Sequence, residues 1–151
     1  YKVNNEFIYK GKDSLNYVSF NKEIYRLVKV DMYRCAYLVK ETDEKIDKQN
    51  IAEYEKSYTN DNFDEEVRNK LFSDASIISL ELYNQTILNN ASYINMDNND
   101  WIKDNNEYKV MTMNNEFTSV DSAKTYIVLK LNGNVTVSGG NGTQLKPYVL
   151  N

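Results

Sequence analysis

Ser138-Gly139-Gly140-Asn141-Gly142-Thr143-Gln144-Leu145-Lys146-Pro147-Tyr148-Val149-Leu150 holds the only proline and three of the five glycines of a 151-residue chain. Gly-Gly-Asn-Gly is free to take positive φ at several positions, and Pro147 fixes the backbone ahead of Tyr148-Val149-Leu150. The stretch reads as a reversal followed by a short strand that ties the chain end into its sheet. A phosphate-cradling loop is excluded, because Lys146-Pro147 and a strand follow the glycines where Lys-Ser/Thr and a helix are needed.

Upstream of the tail, residues 125–131 (Thr-Tyr-Ile-Val-Leu-Lys-Leu) carry the strongest strand signal of the chain. Asn132-Gly133 follows directly and leads into Val135-Thr136-Val137, the standard signal for a two-residue hairpin. Residues 108–113 read as a further strand, and residues 89–106 as an irregular Asn/Asp-rich loop around Trp101. At the N-terminal end, residues 7–9, 16–20, 24–30 and 34–40 alternate aromatic or β-branched residues with polar breaks, the pattern of a meander. Charge dominates residues 41–48, a solvated loop.

The middle of the chain is helical. Asn50 stands as N-cap with Glu53 three residues on, and Ile51, Tyr54 and Tyr58 recur at helical spacing as a core-facing stripe. A second helix is predicted over 63–72, capped by Asn62, with Glu65 and Glu66 in its first turn and Phe63, Val67 and Leu71 on one face. Residues 77–80 read as a brief buried strand running into a short helix over 81–88. No repeat or linker divides the chain. The prediction is a single α+β domain over 1–151: an antiparallel sheet with an N-terminal meander, two or three short helices in the middle, and a C-terminal hairpin with a closing strand.

Composition excludes several chemistries. The chain has no histidine, which removes His-based triads, His zinc sites and His general acid–base catalysis. Cys35 is the only cysteine, so neither an intrachain disulfide nor a thiolate cluster forms; within its apolar run it reads as a buried bystander. A net charge of −4 argues against nucleic acid and anionic membranes as partners. No apolar stretch nears eighteen residues, so no spanning helix is expected, and no signal peptide is visible. The start at Tyr1, without Met, is expected of a processed or trimmed piece. Asparagine makes up about one residue in seven, and with 13 tyrosines it fits an AT-rich bacterial genome.

Candidate sites are few. Asp97-Asn98-Asn99-Asp100 begins like an EF-hand loop, but Trp101 takes a ligand position and no glycine follows; a different calcium loop within 97–104 is the alternative to a plain surface loop. Trp101 with Tyr93 and Tyr108 is either a sugar-stacking face or a packing anchor, and a lone Trp is more often the anchor. The binding candidates are therefore Trp101, Tyr93, Asp97 and Asp100, with no catalytic residue, cofactor or metal assigned. A Lys–Asn isopeptide crosslink needs a buried Lys, Asn and acid together. The Asn-x-Ser/Thr triplets at Asn84, Asn90, Asn134 and Asn141 are expected by chance in so Asn-rich a chain.

Three segments resemble one family. Asn16-Tyr17-Val18-Ser19-Phe20-Asn21-Lys22-Glu23-Ile24-Tyr25-Arg26-Leu27-Val28 is similar to the opening of a family of extracellular domains from Firmicutes. Residues 75–84 are similar to its Ile-Ser-Leu…Tyr-Asn segment, and residues 128–131 with 135–150 to its Val-Ser-Gly-Gly…Pro-Tyr-Val-Leu ending. Tyr25 stands where the family usually has Trp, and Tyr126-Ile127 where it has Arg-Pro. Many members follow a type IV prepilin leader and a hydrophobic helix. The resemblance implies a non-enzymatic domain on the surface of a Gram-positive cell, the head of a pilin-like subunit whose partners are other surface or pilus subunits. Paired termini, a helical middle and a long loop around Trp101 are also similar to C-type-lectin-like folds. The alternative is accordingly a lectin-like adhesion module for a host or glycan ligand, without membrane contact by this fragment.

Overall fold

Asn21 and Lys22 both adopt positive φ, 52° and 65°, the mirror-image turn whose twist matches that of two antiparallel strands. They join β3 (Tyr17–Phe20) to β4 (Glu23–Val30), and β4 pairs on its other side with β5 (Ala36–Glu41), giving the expected meander. The computed structural model describes residues 2–3, 6–9, 15–88, 100–111 and 116–151. Before the meander run β1 (Lys2–Val3) and β2 (Glu6–Ile8). After it come β6 (Ile46–Asp47), α1 (Ile51–Asn62), α2 (Glu65–Arg68), β7 (Ser76–Ile77) and α3 (Leu80–Leu88). The remaining elements are β8 (Trp101–Asp104), β9 (Glu107–Met111), β10 (Phe117–Thr118), β11 (Ser122–Ala123), β12 (Tyr126–Lys130), β13 (Val137–Gly139) and β14 (Tyr148–Leu150). The architecture is α+β.

The main sheet has the order β13-β14-β3-β4-β5-β12-β7, with β2 also pairing with β4. Its pairings are antiparallel except that β14 lies parallel to β3, with Tyr148 opposite Val18. Successive residues of the central strands enter two apolar clusters: Leu38, Ile127 and Leu129 pack in one, Val39, Tyr126 and Val128 in the other. These strands are therefore covered on both faces. Ile51 of α1 joins the first cluster, and Leu82 and Tyr83 of α3 join the second.

The tail behaves as its sequence suggests. Gly140 and Gly142 have φ of 87° and 84°, and the chain returns as β14 between β13 and β3. Gly142 could not be any other residue without a clash: a Cβ there would lie 2.3 Å from the Leu15 carbonyl oxygen and 2.6 Å from the Tyr148 ring.

Four expectations need correction. Asn132-Gly133 does not fold β12 against β13. β12 lies between β5 and β7, and β13 pairs with β14 at the far edge of the sheet. Gly133 instead permits a close approach, since a Cβ there would lie 2.6 Å from the Tyr33 carbonyl oxygen. Asn132 is also held away from a hairpin, its amide donating to Lys70 O and its side chain to Asn69 O.

The second helix is one turn long. Asp64, not Asn62, caps it by accepting from Val67 N at 2.9 Å, and Phe63 is extended. Leu71 bridges to Leu131, and Phe72 N donates to Lys130 O, so the sheet takes the residues that would have continued the helix. Residues 101–104 are a strand, not irregular loop: β8 and β9 form a hairpin around Asn105 and Asn106, which have φ of 49° and 71°. Finally, the charged run 41–48 contains β6, which pairs with β11.

Candidate functional site

The buried polar side chains of Asn16, Asp31, Glu55 and Thr59 hold the fold together. Asn16 is fully buried; its side-chain amide donates to Leu27 O, and its Oδ1 accepts from Arg26 Nε and Nη2 at 2.9 and 2.6 Å. The guanidinium in turn lies 3.8 Å above the Tyr17 ring, a cation–π contact. The Asn-Tyr…Arg pattern is thus a lock between β3 and β4. Asp31 organises the β4–β5 turn by accepting from the Tyr33 and Cys35 amides and from the Tyr37 hydroxyl. Glu55 on α1 accepts from Ile77 N, Lys103 Nζ and Tyr108 Oη, and Thr59 Oγ1 accepts from Ala75 N. Burial, followed by the nearby Glu55 carboxylate, pushes the Tyr108 phenol well above its ordinary value.

Because Ile51, Glu55 and Thr59 face inward at intervals of four, the adjacent stripe of α1 is turned to the boundary of the protein. That stripe is Asn50, Tyr54, Tyr58 and Asn62, again spaced by four and so on one helix face. It forms a wall of a cleft of about 620 Å³, closed on other sides by the β3–β4 turn and the loop carrying β6. The loop is rooted through Thr42, whose amide donates to Thr125 O and whose hydroxyl accepts from Thr125 N.

The floor of the cleft continues an aromatic chain out of the core. Ring centroids lie 6.4 Å apart for Tyr25–Phe20, 6.5 Å for Phe20–Phe63, 6.1 Å for Phe63–Tyr58 and 5.6 Å for Tyr58–Tyr54, all edge-to-face. Tyr25 is 2% exposed and lines the cleft. Burial, then the neighbouring Tyr58, raises its pKa well above the ordinary value. Tyr54 is raised by burial and by the Asp43 carboxylate on the facing loop. The rim is acidic. Glu23 pairs with Lys40, which leaves Glu41, Asp43, Glu44 and Asp47 against Lys45 alone.

Of the residues singled out by sequence, Trp101 and Asp100 are described, and both are buried. Trp101 is 2% exposed and its indole N–H donates to Ile46 O at 2.9 Å, so it is the packing anchor, not a stacking face. Through Ile46 it steadies the loop that borders the cleft. Asp100 is buried too, in place of an exposed ligand-loop position. Tyr93 and Asp97 lie outside the described residues, as do Asn98 and Asn99 of the suggested calcium loop. Cys35 is buried, and burial raises its pKa, the reverse of an activated thiolate. The buried Asn16 bonds an arginine and a carbonyl, not a lysine, so it forms no isopeptide triad.

Helical spacing places Tyr54 and Tyr58 on the core-facing stripe and gives no sign of the cleft. The only signal that could have found it was the polar Asn50 and Asn62 in register with the two tyrosines. Comparison with known proteins finds no matching family model, no matching curated protein and no matching solved structure.

Proposed function

We propose that this chain is a non-catalytic domain of a bacterial cell surface, the head of a pilin-like subunit that is assembled into, or displayed beside, a surface filament. One observation carries the reading. The segments that resemble the Firmicute family at the two ends of the chain meet in space: β14 lies along β3, and Tyr17 N donates to Gly142 O at 2.9 Å. Such a signature acts as a clasp, joining the chain end to the first long hairpin. A clasped domain keeps its end paired without a partner and leaves its loops available for contact. The interior carboxylates Asp31 and Glu55 accept hydrogen bonds from backbone amides and neighbouring side chains, which is structural employment and fits a domain that binds without reacting.

The adhesion alternative is carried by the cleft instead of Trp101. Its aromatic floor and polar rim have the concave form of a small binding site.

Antibodies raised against this domain and applied to intact cells of the source organism test the reading. Label along filaments is the expected outcome. Diffuse surface label overturns the filament role and keeps the display role; label that needs permeabilised cells overturns both.

A further inference from the structure

We propose that the cleft between α1, the β3–β4 turn and the β6 loop takes the lysine or arginine side chains of a basic peptide segment. The proposal rests on the cleft being the binding face of the domain, and not on where the domain is displayed.

Charge complementarity selects the ligand. With Glu23 neutralised by Lys40, the rim sets four carboxylates against Lys45, so an anion would be repelled by three of the four units of net charge the whole chain carries. Between low-dielectric walls such a field gathers cations. The carboxylates are spread out: among the described residues, no group of three acids is close enough to hold a metal ion. A dispersed acidic rim suits an extended ligand with several charges better than one compact cation.

The floor offers what an ammonium or guanidinium accepts. Tyr25 lines the cleft from an otherwise buried ring, and its hydroxyl oxygen is an acceptor for an N–H donor. The half-buried rings of Tyr54 and Tyr58 add π faces beside the carboxylates, the combination that binds cations when partly desolvated. Their planes are inclined at 60°, so they do not make the coplanar platform on which a sugar ring stacks.

Amide chemical shifts of the ¹⁵N-labelled protein, followed during titration with tetralysine, test the proposal. Spermine and chitotriose serve as competing probes. The expected result is saturable shifts at Asn50, Tyr54, Tyr58 and residues 42–47, with affinity falling about tenfold or more between roughly 20 mM and roughly 300 mM salt. The exposed pair Asp43→Asn/Glu44→Gln leaves the fold intact and weakens tetralysine about tenfold. Tyr58→Phe, which keeps the ring, weakens it less. Shifts spread evenly over acids elsewhere, unchanged affinity in the double variant, tighter binding of spermine than of tetralysine, or cleft shifts with chitotriose alone would each overturn the assignment. The cell-surface reading stands or falls separately, by antibody label.

Discussion

Replacing Glu55 by alanine removes the carboxylate that joins α1 to two other parts of the fold. Its Oε2 accepts from the Ile77 amide at 2.7 Å, and its Oε1 from Lys103 Nζ at 2.7 Å and Tyr108 Oη at 2.6 Å. The three losses are unequal. Ile77 is 1% exposed, so its N–H finds no water and leaving it unpaired costs about 1–3 kcal/mol. The Tyr108 hydroxyl, half-buried, adds about 1 kcal/mol. Lys103 is the cheap partner: its side chain is 31% exposed and turns to solvent, so the ion pair contributes less than about 1 kcal/mol. The expected loss for Glu55→Ala is about 3 kcal/mol, which in a domain of this size lowers Tm by about 10 °C. Glu55→Gln keeps an acceptor for the Ile77 amide and loses roughly half as much. Urea unfolding measures both variants, and amide hydrogen exchange reads whether Ile77 opens first. A Glu55→Ala protein within about 1 kcal/mol of the parent, or one destabilised with no faster exchange at Ile77, refutes the reasoning.

Two glycines of the tail make a matched pair. Gly142→Ala forces a Cβ to within 2.3 Å of the Leu15 carbonyl oxygen at a φ of 84° and costs about 2–3 kcal/mol, whereas Gly139→Ala, with nothing within 4 Å, changes stability by less than about 0.5 kcal/mol; equal effects in urea unfolding would contradict the close packing of the clasp. Deleting residues 147–151 strips β14 from between β3 and β13 and lowers stability by about 2–4 kcal/mol, so an unchanged melting temperature rejects the closing strand. Tyr9, Tyr25, Tyr37, Tyr54, Tyr58, Tyr83 and Tyr108 all have pKa values raised above 10.0, burial being the largest cause for each. Above the ordinary value the unfolded chain gives up phenolic protons that the folded chain keeps. The tyrosine contribution to stability is therefore level below about pH 10 and falls as pH rises beyond it. Urea midpoints at about pH 8 and about pH 11 check the sign, and a midpoint no lower at the higher pH contradicts it.

The sheet was legible where local chemistry and global pairing ask for the same thing. Asn21-Lys22 closes the β3–β4 hairpin where the polar break falls, residues 125–131 form the strand their β-branched run suggests, and the glycines at 140 and 142 take positive φ. It was illegible where a local signal serves a distant neighbour. Asn132-Gly133 carries the strongest short hairpin pattern, yet its glycine exists for the approach of Tyr33 and its asparagine for Lys70. The stripe Phe63, Val67, Leu71 does enter the first cluster, but Leu131 and Lys130 draw its end into the sheet and cut the helix to one turn. Trp101 sat among Asn and Asp in the sequence and reads there as a loop; its bond to Ile46 O spans 55 residues and has no local trace.

The cleft escaped sequence reasoning for a related reason. Apolar periodicity assigns the inward face of α1 to Ile51, Tyr54 and Tyr58, since a glutamate and a threonine are poor core residues. Glu55 and Thr59 nevertheless take that face, because the amides of Ala75 and Ile77 and the hairpin residues Lys103 and Tyr108 stand opposite them. Once those hydrogen bonds orient the helix, the tyrosines one position away can only lie at the boundary, half-buried against Phe63 and open to the acidic loop. The buried carboxylate and the candidate site are thus two results of one rotation of α1. Any change that lets the helix turn its tyrosines fully inward closes the cleft without substituting any of its lining residues.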